Sequence, residues 1–284
     1  MKRHLSALFI MLTYSFSFAQ ISGTVVDKKT GNPLQYVNVW IKNTRKGSTT
    51  NNYGEFKIEF GKIGDTILIS NLGYQEKELL ANSINQIALE PKEIELEEVV
   101  IIPFKNINTE FIKSYPKKGK VTELYYNGYY SLARYYPYKA TYSKYPFIKN
   151  ISVVTSNALK SEVTFRIQLI KADENGKPTK TLMSEYKILK TKKGKNETFV
   201  DLIDERIQVP KNGFFVVVDR LNLDENKFSN KIAKNILQPA IGMESKNMEP
   251  NTWMYFGGRW IEPKELKNFV GTAKNIAVNV ELTD

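Results

Sequence analysis

Two residue types that carry much of enzyme chemistry are nearly absent from this chain: it has no cysteine, and its one histidine is His4. Without cysteine there is no disulfide framework, no thiolate metal site and no cysteine-linked lipid anchor, so the fold must hold itself together by packing. With histidine confined to His4, neither a Ser-His-Asp nor a Cys-His arrangement can be assembled, nor a zinc site built on histidine. Carboxylate chemistry or a serine-lysine pair is what remains. Asp201, Asp204 and Glu205, or Asp219, Asp224 and Glu225, are candidate carboxylates, but both sets read as solvated, turn-like clusters. No catalytic residue, cofactor or metal ligand is assigned, and no segment spells a calcium loop.

Long apolar runs are also scarce. The stretch from Leu5 to Phe18 follows Met1-Lys2-Arg3 and leads into Ala19-Gln20, the charged, apolar and small-residue order of a secretory signal peptide. It is shorter than the ~20 residues of a spanning helix and contains Ser6, Thr13, Ser15 and Ser17. Residues 1–19 are expected to be removed on export, leaving a chain that begins at Gln20 without a transmembrane segment.

Charge is unevenly shared. Residues 20–102 carry nine Lys or Arg against eleven Asp or Glu, whereas residues 103–284 carry 30 against 19. A basic second half can meet phosphates, anionic lipids or acidic glycans. An exported protein rarely meets nucleic acid, so no nucleic-acid partner is expected. The basic runs Lys117-Lys118-Gly119-Lys120 and Lys190 to Lys195 contain glycine and read as solubilising turns.

From Ile21 onward the text alternates with the period of a half-buried strand, through Gly23, Val25 and Asp27 to a turn at Thr30-Gly31-Asn32-Pro33. A second strand is expected over Leu34 to Ile41. A third unit turns at Asn52-Tyr53-Gly54 and points Phe56, Ile58 and Phe60 one way, with Gly54 at positive φ. Strands over Asp65 to Ser70 and Gln86 to Leu89 complete a small sandwich. Ile21-x-Gly23-x-Val25-x-Asp27, Gly31-x-Pro33-Leu34, Val37-x-Val39, Asn52-x-Gly54-x-Phe56 and Ile69 to Tyr74 together resemble the carboxypeptidase-regulatory-like domain. That resemblance covers residues 20–102 and implies a prealbumin-like (transthyretin-like) β-sandwich, an accessory module without activity of its own. Ile94 to Ile102 is similar to the stretch that follows this domain in TonB-dependent outer-membrane receptors. The 182 residues after it lack the spans of a large receptor barrel, so Leu96 to Ile102 is read as a last or edge strand.

Residues 103–124 mix prolines and Lys-rich turns and read as a linker with a short helical possibility around Asn108 to Tyr115. Beyond it Val163, Phe165, Ile167 and Leu169 share a face opposite Thr164, Arg166 and Gln168, as in a sheet with one wet side. Phe214 to Val218 is apolar enough for a central buried strand, Trp253 to Ile261 makes a hairpin through Gly257-Gly258, and Ile276, Val278, Val280 and Leu282 alternate near the end. Asp173-x-x-Gly176-x-Pro178, Val200-Asp201-Leu202, Ile207-x-Val209-Pro210 and Gly213 to Val216 resemble jelly-roll domains of exported bacterial proteins, some of which bind carbohydrate.

The fold class read from the sequence is thus all-β: a prealbumin-like sandwich at 20–102, a linker at 103–124 and a jelly-roll-like sandwich at 125–284, with the two halves folding independently. The aromatic stretch from Tyr125 to Phe147 offers rings that can stack on sugars while their hydroxyls bond, although strand tyrosines also serve as core. Tyr129, Tyr136 and Tyr138, aided by Trp253 and Trp260, are the candidate ligand-binding residues. The expected function is an exported, non-catalytic binding or scaffolding protein in the periplasm or on the outer-membrane surface of a Gram-negative bacterium. Its partner would be a glycan or another envelope protein. The alternatives are a carbohydrate-active enzyme with paired carboxylates and a purely structural envelope component.

Overall fold

The computed structural model describes residues 20–82, 86–92, 103–115, 121–124, 129–232, 234–244, 249–270 and 274–284. The expected signal peptide and the expected strand at Leu96 to Ile102 lie outside the described residues. Among the described residues the chain is all-β apart from short 3-10 turns and one α-helix, Pro263–Val270.

The first sandwich is built from β1 (Ile21–Asp27), β2 (Asn38–Ile41), β3 (Gly47–Thr49), β4 (Glu55–Ile58), β5 (Thr66–Ser70), β6 (Lys77–Leu80) and β7 (Gln86–Leu89). One sheet runs β4-β1-β7 and the other β3-β2-β5-β6. Val25, Val39, Phe56, Ile67, Ile87 and Leu89 fill the space between them. The motif residues have definite jobs. One oxygen of Asp27 accepts the N–H groups of Lys29 and Thr30 at 2.7 and 2.8 Å, which folds the turn toward Pro33, and the other accepts the Tyr74 hydroxyl at 2.8 Å. These bonds, that of Thr30 foremost, lower the Asp27 pKa, while burial and then the Asp27 bond push Tyr74 up to about 12. Gly54 has the expected positive φ of 73°. A Cβ there would also lie 2.5 Å from the Val25 carbonyl oxygen, so this position excludes other residues twice over. Two expectations need correction. β2 starts at Asn38 because Tyr36 adopts a left-handed φ of 59°, and Phe60 points outward, 57% exposed, because the strand ends at Ile58 and the alternation ends with it.

The second sandwich has a seven-stranded and a six-stranded sheet. The larger contains β10 (Ser131–Tyr136), β12 (Val163–Ala172), β13 (Pro178–Thr181), β14 (Lys187–Thr191), β16 (Phe214–Arg220), β20 (Thr252–Phe256) and β21 (Arg259–Ile261). Its order is β13-β12-β16-β10-β20-β21, with β14 also pairing β12. The smaller contains β8 (Thr109–Ile112), β9 (Val121–Leu124), β11 (Phe147–Asn157), β15 (Gly194–Asp201), β19 (Ala240–Glu244) and β22 (Val278–Thr283). Its order is β8-β22-β11-β19-β9, with β15 on β11. A separate ribbon joins β17 (Lys227–Phe228) to β18 (Ile236–Leu237). Val153, Phe165, Ile167, Val216, Val278 and Val280 lie in the core between the sheets. β16 is buried along its whole length, as its apolar run requires of a strand flanked on both edges.

The stretch read as a linker is part of this domain. β8 adds to β22 and β9 to β19, so Thr109–Ile112 and Val121–Leu124 supply edge strands where the sequence suggested a tether, and the stretch read as helical after Asn108 is a strand. The physical reason is backbone satisfaction: β22 and β19 would otherwise end the sheet with unpaired N–H and C=O groups. Asp284 clamps the first of these additions. Its carboxylate accepts the N–H groups of Ile107 and Asn108 at 2.8 and 3.0 Å and the Asn108 side-chain amide at 2.8 Å.

Those bonds, the Asn108 backbone N–H foremost, hold the Asp284 carboxyl down to about 2 from 3.8. A carboxyl lowered on folding contributes stability that is complete above its unfolded value and lost as pH falls through the folded one. Asp284→Asn should therefore flatten the pH dependence of melting temperature between about 4 and 2 and speed hydrogen exchange at Ile107 and Asn108. An unchanged acid limb in that variant would show that the clamp carries no stability.

Candidate functional site at the domain seam

The outer face of β12 is not wet. Arg166 lies on it fully buried, because the first domain covers that face. Its Nε donates to Asp219 Oδ2 at 2.7 Å, one Nη to the Tyr36 carbonyl and the other to Asn38 Oδ1, both at 2.9 Å. The guanidinium also sits 4.2 Å from the Tyr186 ring centroid. Gln168 donates its side-chain amide to the same Asp219 oxygen. Sequence places these groups together simply: Arg166 and Gln168 are two apart on one face of β12, and Asp219 on β16 is the direct cross-strand partner of Arg166. Burial is the largest influence and would lower the Arg166 pKa, but the Asp219 charge and hydrogen bond together with Tyr186 and Tyr129 outweigh it, and the guanidinium stays firmly protonated.

The network continues into the first domain. Asn38 Oδ1 also accepts the Tyr129 hydroxyl at 2.7 Å, and that hydroxyl is 2.8 Å from Thr49 Oγ1. Burial raises the Tyr129 pKa, keeping it a neutral donor. Its ring stacks on Trp40 at 4.0 Å. Trp40 and Leu68, both first-domain residues, belong to the hydrophobic core of the second domain. At the hairpin between β20 and β21, Asn43 N–H donates to the Gly257 carbonyl at 2.8 Å. Gly257 has φ 58°, and a Cβ on it would lie 2.6 Å from the Thr44 nitrogen, so glycine is required for the two backbones to meet.

Beside this network is a cavity of about 140 Å³ lined by residues of both domains, among them Asn38, Ser70, Ser131, Tyr186, Asp219, Tyr255 and Trp260. Asp219 Oδ1 is buried there without a hydrogen-bond partner among the described residues. Three aromatic rings and an unsatisfied carboxylate oxygen form a site suited to a small ligand with a flat apolar face and hydroxyl or amine donors.

The five residues singled out from sequence as ligand contacts have three different settings. Tyr129, Tyr136 and Trp253 are buried, which corrects the expectation that they are exposed, although Tyr129 also lines a cleft with Lys57 and Lys234. Tyr136 stacks on Phe214 at 5.2 Å and donates its hydroxyl to the Val278 carbonyl, and Trp253 meets Phe215 edge-on at 5.6 Å. Tyr138 is half-buried and set edge-on against Tyr142, away from the cavity lining. Trp260 does reach the cavity, 5.1 Å from Tyr255. Asp219, read as part of a solvated turn, is instead a buried strand residue. Arg166, Asn38 and Tyr186 were missed. The available signal was a charged residue embedded in each of two apolar strands, since such charges are buried only when paired.

Residues 21–101 match the CarboxypepD_reg-like domain. The chain is also similar to two curated receptors. One is the TonB-dependent receptor SusC of Bacteroides thetaiotaomicron, 39% identical over 95 residues, covering 32% of this chain and 9% of the receptor. The other is the TonB-dependent receptor P3 of Formosa agariphila, 28% identical over 122 residues, covering 41% of this chain and 12% of the receptor. The match thus spans about a tenth of each receptor's length. Among solved structures, the clostridial cysteine protease Cwp84 covers 87% of this chain and 56% of its own at 8% identity, with a TM-score of 0.43. A likeness that slight carries no argument about this protein.

Removing one member of a buried pair strands the other. Asp219→Ala should cost roughly 3–5 kcal/mol in urea unfolding, because Arg166 keeps its charge without a counterion, while Arg166→Met with Asp219→Leu should cost much less. Equal losses in the single and double variants would show that the pair is not the unit that matters.

Proposed function

We propose that this chain is an exported, non-catalytic binding protein of a bacterial cell envelope, in which the regulatory-like domain braces a second sandwich and the two together hold a glycan at their seam. The envelope setting is supported by the signal-peptide pattern of residues 1–19 and by the similarity of part of the chain to TonB-dependent receptors. The observation that carries the binding role is the cavity itself. Tyr186, Tyr255 and Trp260 line it with aromatic rings, its volume of about 140 Å³ takes part of a terminal sugar unit, and Asp219 Oδ1 offers an acceptor that a sugar hydroxyl would satisfy.

A second reading, a carbohydrate-active enzyme, has one observation in its favour. Glu197 and Glu281 line a common groove on the outer face of the smaller sheet, flanked by Phe111 and Phe199, which are 55% and 70% exposed. Both carboxylates are engaged: Glu197 accepts the hydroxyls of Tyr115 at 2.6 Å and Ser152 at 3.0 Å, and Glu281 accepts the Asn150 amide at 2.7 Å. Both acids are thus tied to polar groups of their own sheet, an arrangement that suits a ligand contact.

A glycan array probed with the chain from Gln20 onward separates these readings. Retention of a glycan that weakens about three- to tenfold in Trp260→Ala, with no release of reducing ends on incubation, is the expected result. Binding that survives Trp260→Ala but is lost in Phe199→Ala moves the site to the groove, and hydrolysis abolished by Glu197→Gln or Glu281→Gln would establish the enzyme.

A further inference from the structure

A second cleft at the seam, distinct from the Trp260 cavity, has a different chemistry. It measures about 300 Å³ and takes Arg45, Lys46 and Lys57 from the first domain and Lys227 and Lys234 from the second. The first domain is acidic overall, with nine cations against eleven anions in residues 20–102, yet three of those nine line this one cleft. Against the five cations the lining holds a single acid, Glu59.

Compensation is sparse. Lys227 pairs with Asp224 at 2.7 Å, and Lys46 donates to the Phe60 carbonyl at 2.9 Å. Among the described residues no carboxylate lies within ion-pair distance of Arg45, Lys57 or Lys234. Cations gathered across a seam repel one another, a cost that a bound anion would relieve; the side chains of Arg45, Lys46, Lys57 and Lys234 are exposed, but the backbone that carries them to one cleft is held in place. The floor cannot spread to relieve it. Asn222 donates its side-chain amide to the Gly47 carbonyl at 2.6 Å and its backbone N–H to Thr49 Oγ1 at 3.0 Å, so the second domain is bonded to the first at the base of the cleft.

We infer that this cleft binds a phosphorylated sugar. Four of the five cations are lysines, point charges with rotatable donors that surround a tetrahedral phosphate without the fork geometry a planar carboxylate favours. Asn235 supplies an amide for ring hydroxyls, and the outward-turned Phe60 supplies an apolar rim for a ring face. The volume matches the lower end of ligand pockets, which suits one or two sugar units and excludes a long polymer from full enclosure. This site goes beyond the glycan cavity proposed above: it shares the seam but none of the Trp260, Tyr255 or Tyr186 walls.

The test is calorimetric titration of the chain from Gln20 onward with glucose 1,6-bisphosphate, with glucose, with a galacturonate oligomer and with phosphatidic acid vesicles. Binding of the bisphosphate that falls with added salt, is absent for glucose, and weakens about tenfold or more in the Lys57→Gln, Lys234→Gln double variant is the expected result. Both substituted side chains are exposed, so the melting temperature should not change, and Trp260→Ala should bind the bisphosphate normally. The inference is overturned if the bisphosphate does not bind, or if the double variant binds it as tightly as the parent. Equal or tighter binding of the galacturonate overturns the choice of phosphate, and binding of vesicles without the soluble bisphosphate overturns the choice of a sugar. Loss of the Trp260-dependent glycan with retained bisphosphate binding would sink the earlier proposal and leave this one standing.

Discussion

The guanidinium of Arg166 lies where two domains meet, and the arrangement around it follows from the cost of burying a charge. An ionised side chain withdrawn from water is tolerated only with a counterion and with its remaining donors bonded. Asp219 provides the counterion from the same sheet, but the two terminal nitrogens find their acceptors on the first domain, at the Tyr36 carbonyl and Asn38 Oδ1. Neither domain alone can satisfy this residue. A buried pair of this kind adds little net stability against an apolar substitute; what the first-domain acceptors fix is register, since any sliding of one domain over the other leaves two guanidinium donors buried without acceptors.

Apolar packing supplies the attraction that the ion pair does not. Trp40 stacked on Tyr129 and Leu68 set in the second core remove large hydrophobic surfaces from water. The close passage of Gly257 against the backbone of residues 43 and 44 adds a contact that only a residue without Cβ allows. The expectation of two halves joined by a tether therefore gives way to a single packed body, with the regulatory-like domain forming one wall of both clefts. Their chemical contrast arises from the same seam. Where Tyr255 and Trp260 meet Asn38 and Ser70 the cavity is small and its one charged lining group is the carboxylate of Asp219, and where the loops around Arg45 and Lys234 meet, the cleft is strongly basic.

Much of the fold was legible because it rests on local rules. The alternation of Val163, Phe165, Ile167 and Leu169 marks a strand whatever its neighbours are, the Gly257-Gly258 turn marks a hairpin, and Gly54 marks a left-handed position. The site was less legible. Tyr129 and Tyr136 have the composition of recognition residues, and nothing local distinguishes a tyrosine that faces solvent from one that packs on Trp40 or Phe214. The segment at 103–124 has the prolines and lysines of a tether, and its pairing depends on β22 and β19, which lie more than a hundred residues away.

By itself the sequence determined the all-β class, the regulatory-like domain with its turn residues, the exclusion of cysteine and histidine chemistry, and the division of charge between the halves. Each of these depends on residue identity or on short-range periodicity, which the chain carries at every point. Only the tertiary structure decided that the polar face of β12 is covered, that Arg166 and Asp219 are buried partners, that Trp260 reaches a cavity while Trp253 does not, and that Arg45, Lys57 and Lys234 share one cleft. The reason is that a strand's pattern specifies which side chains share a face, while what covers that face is fixed by contacts between segments far apart in the chain.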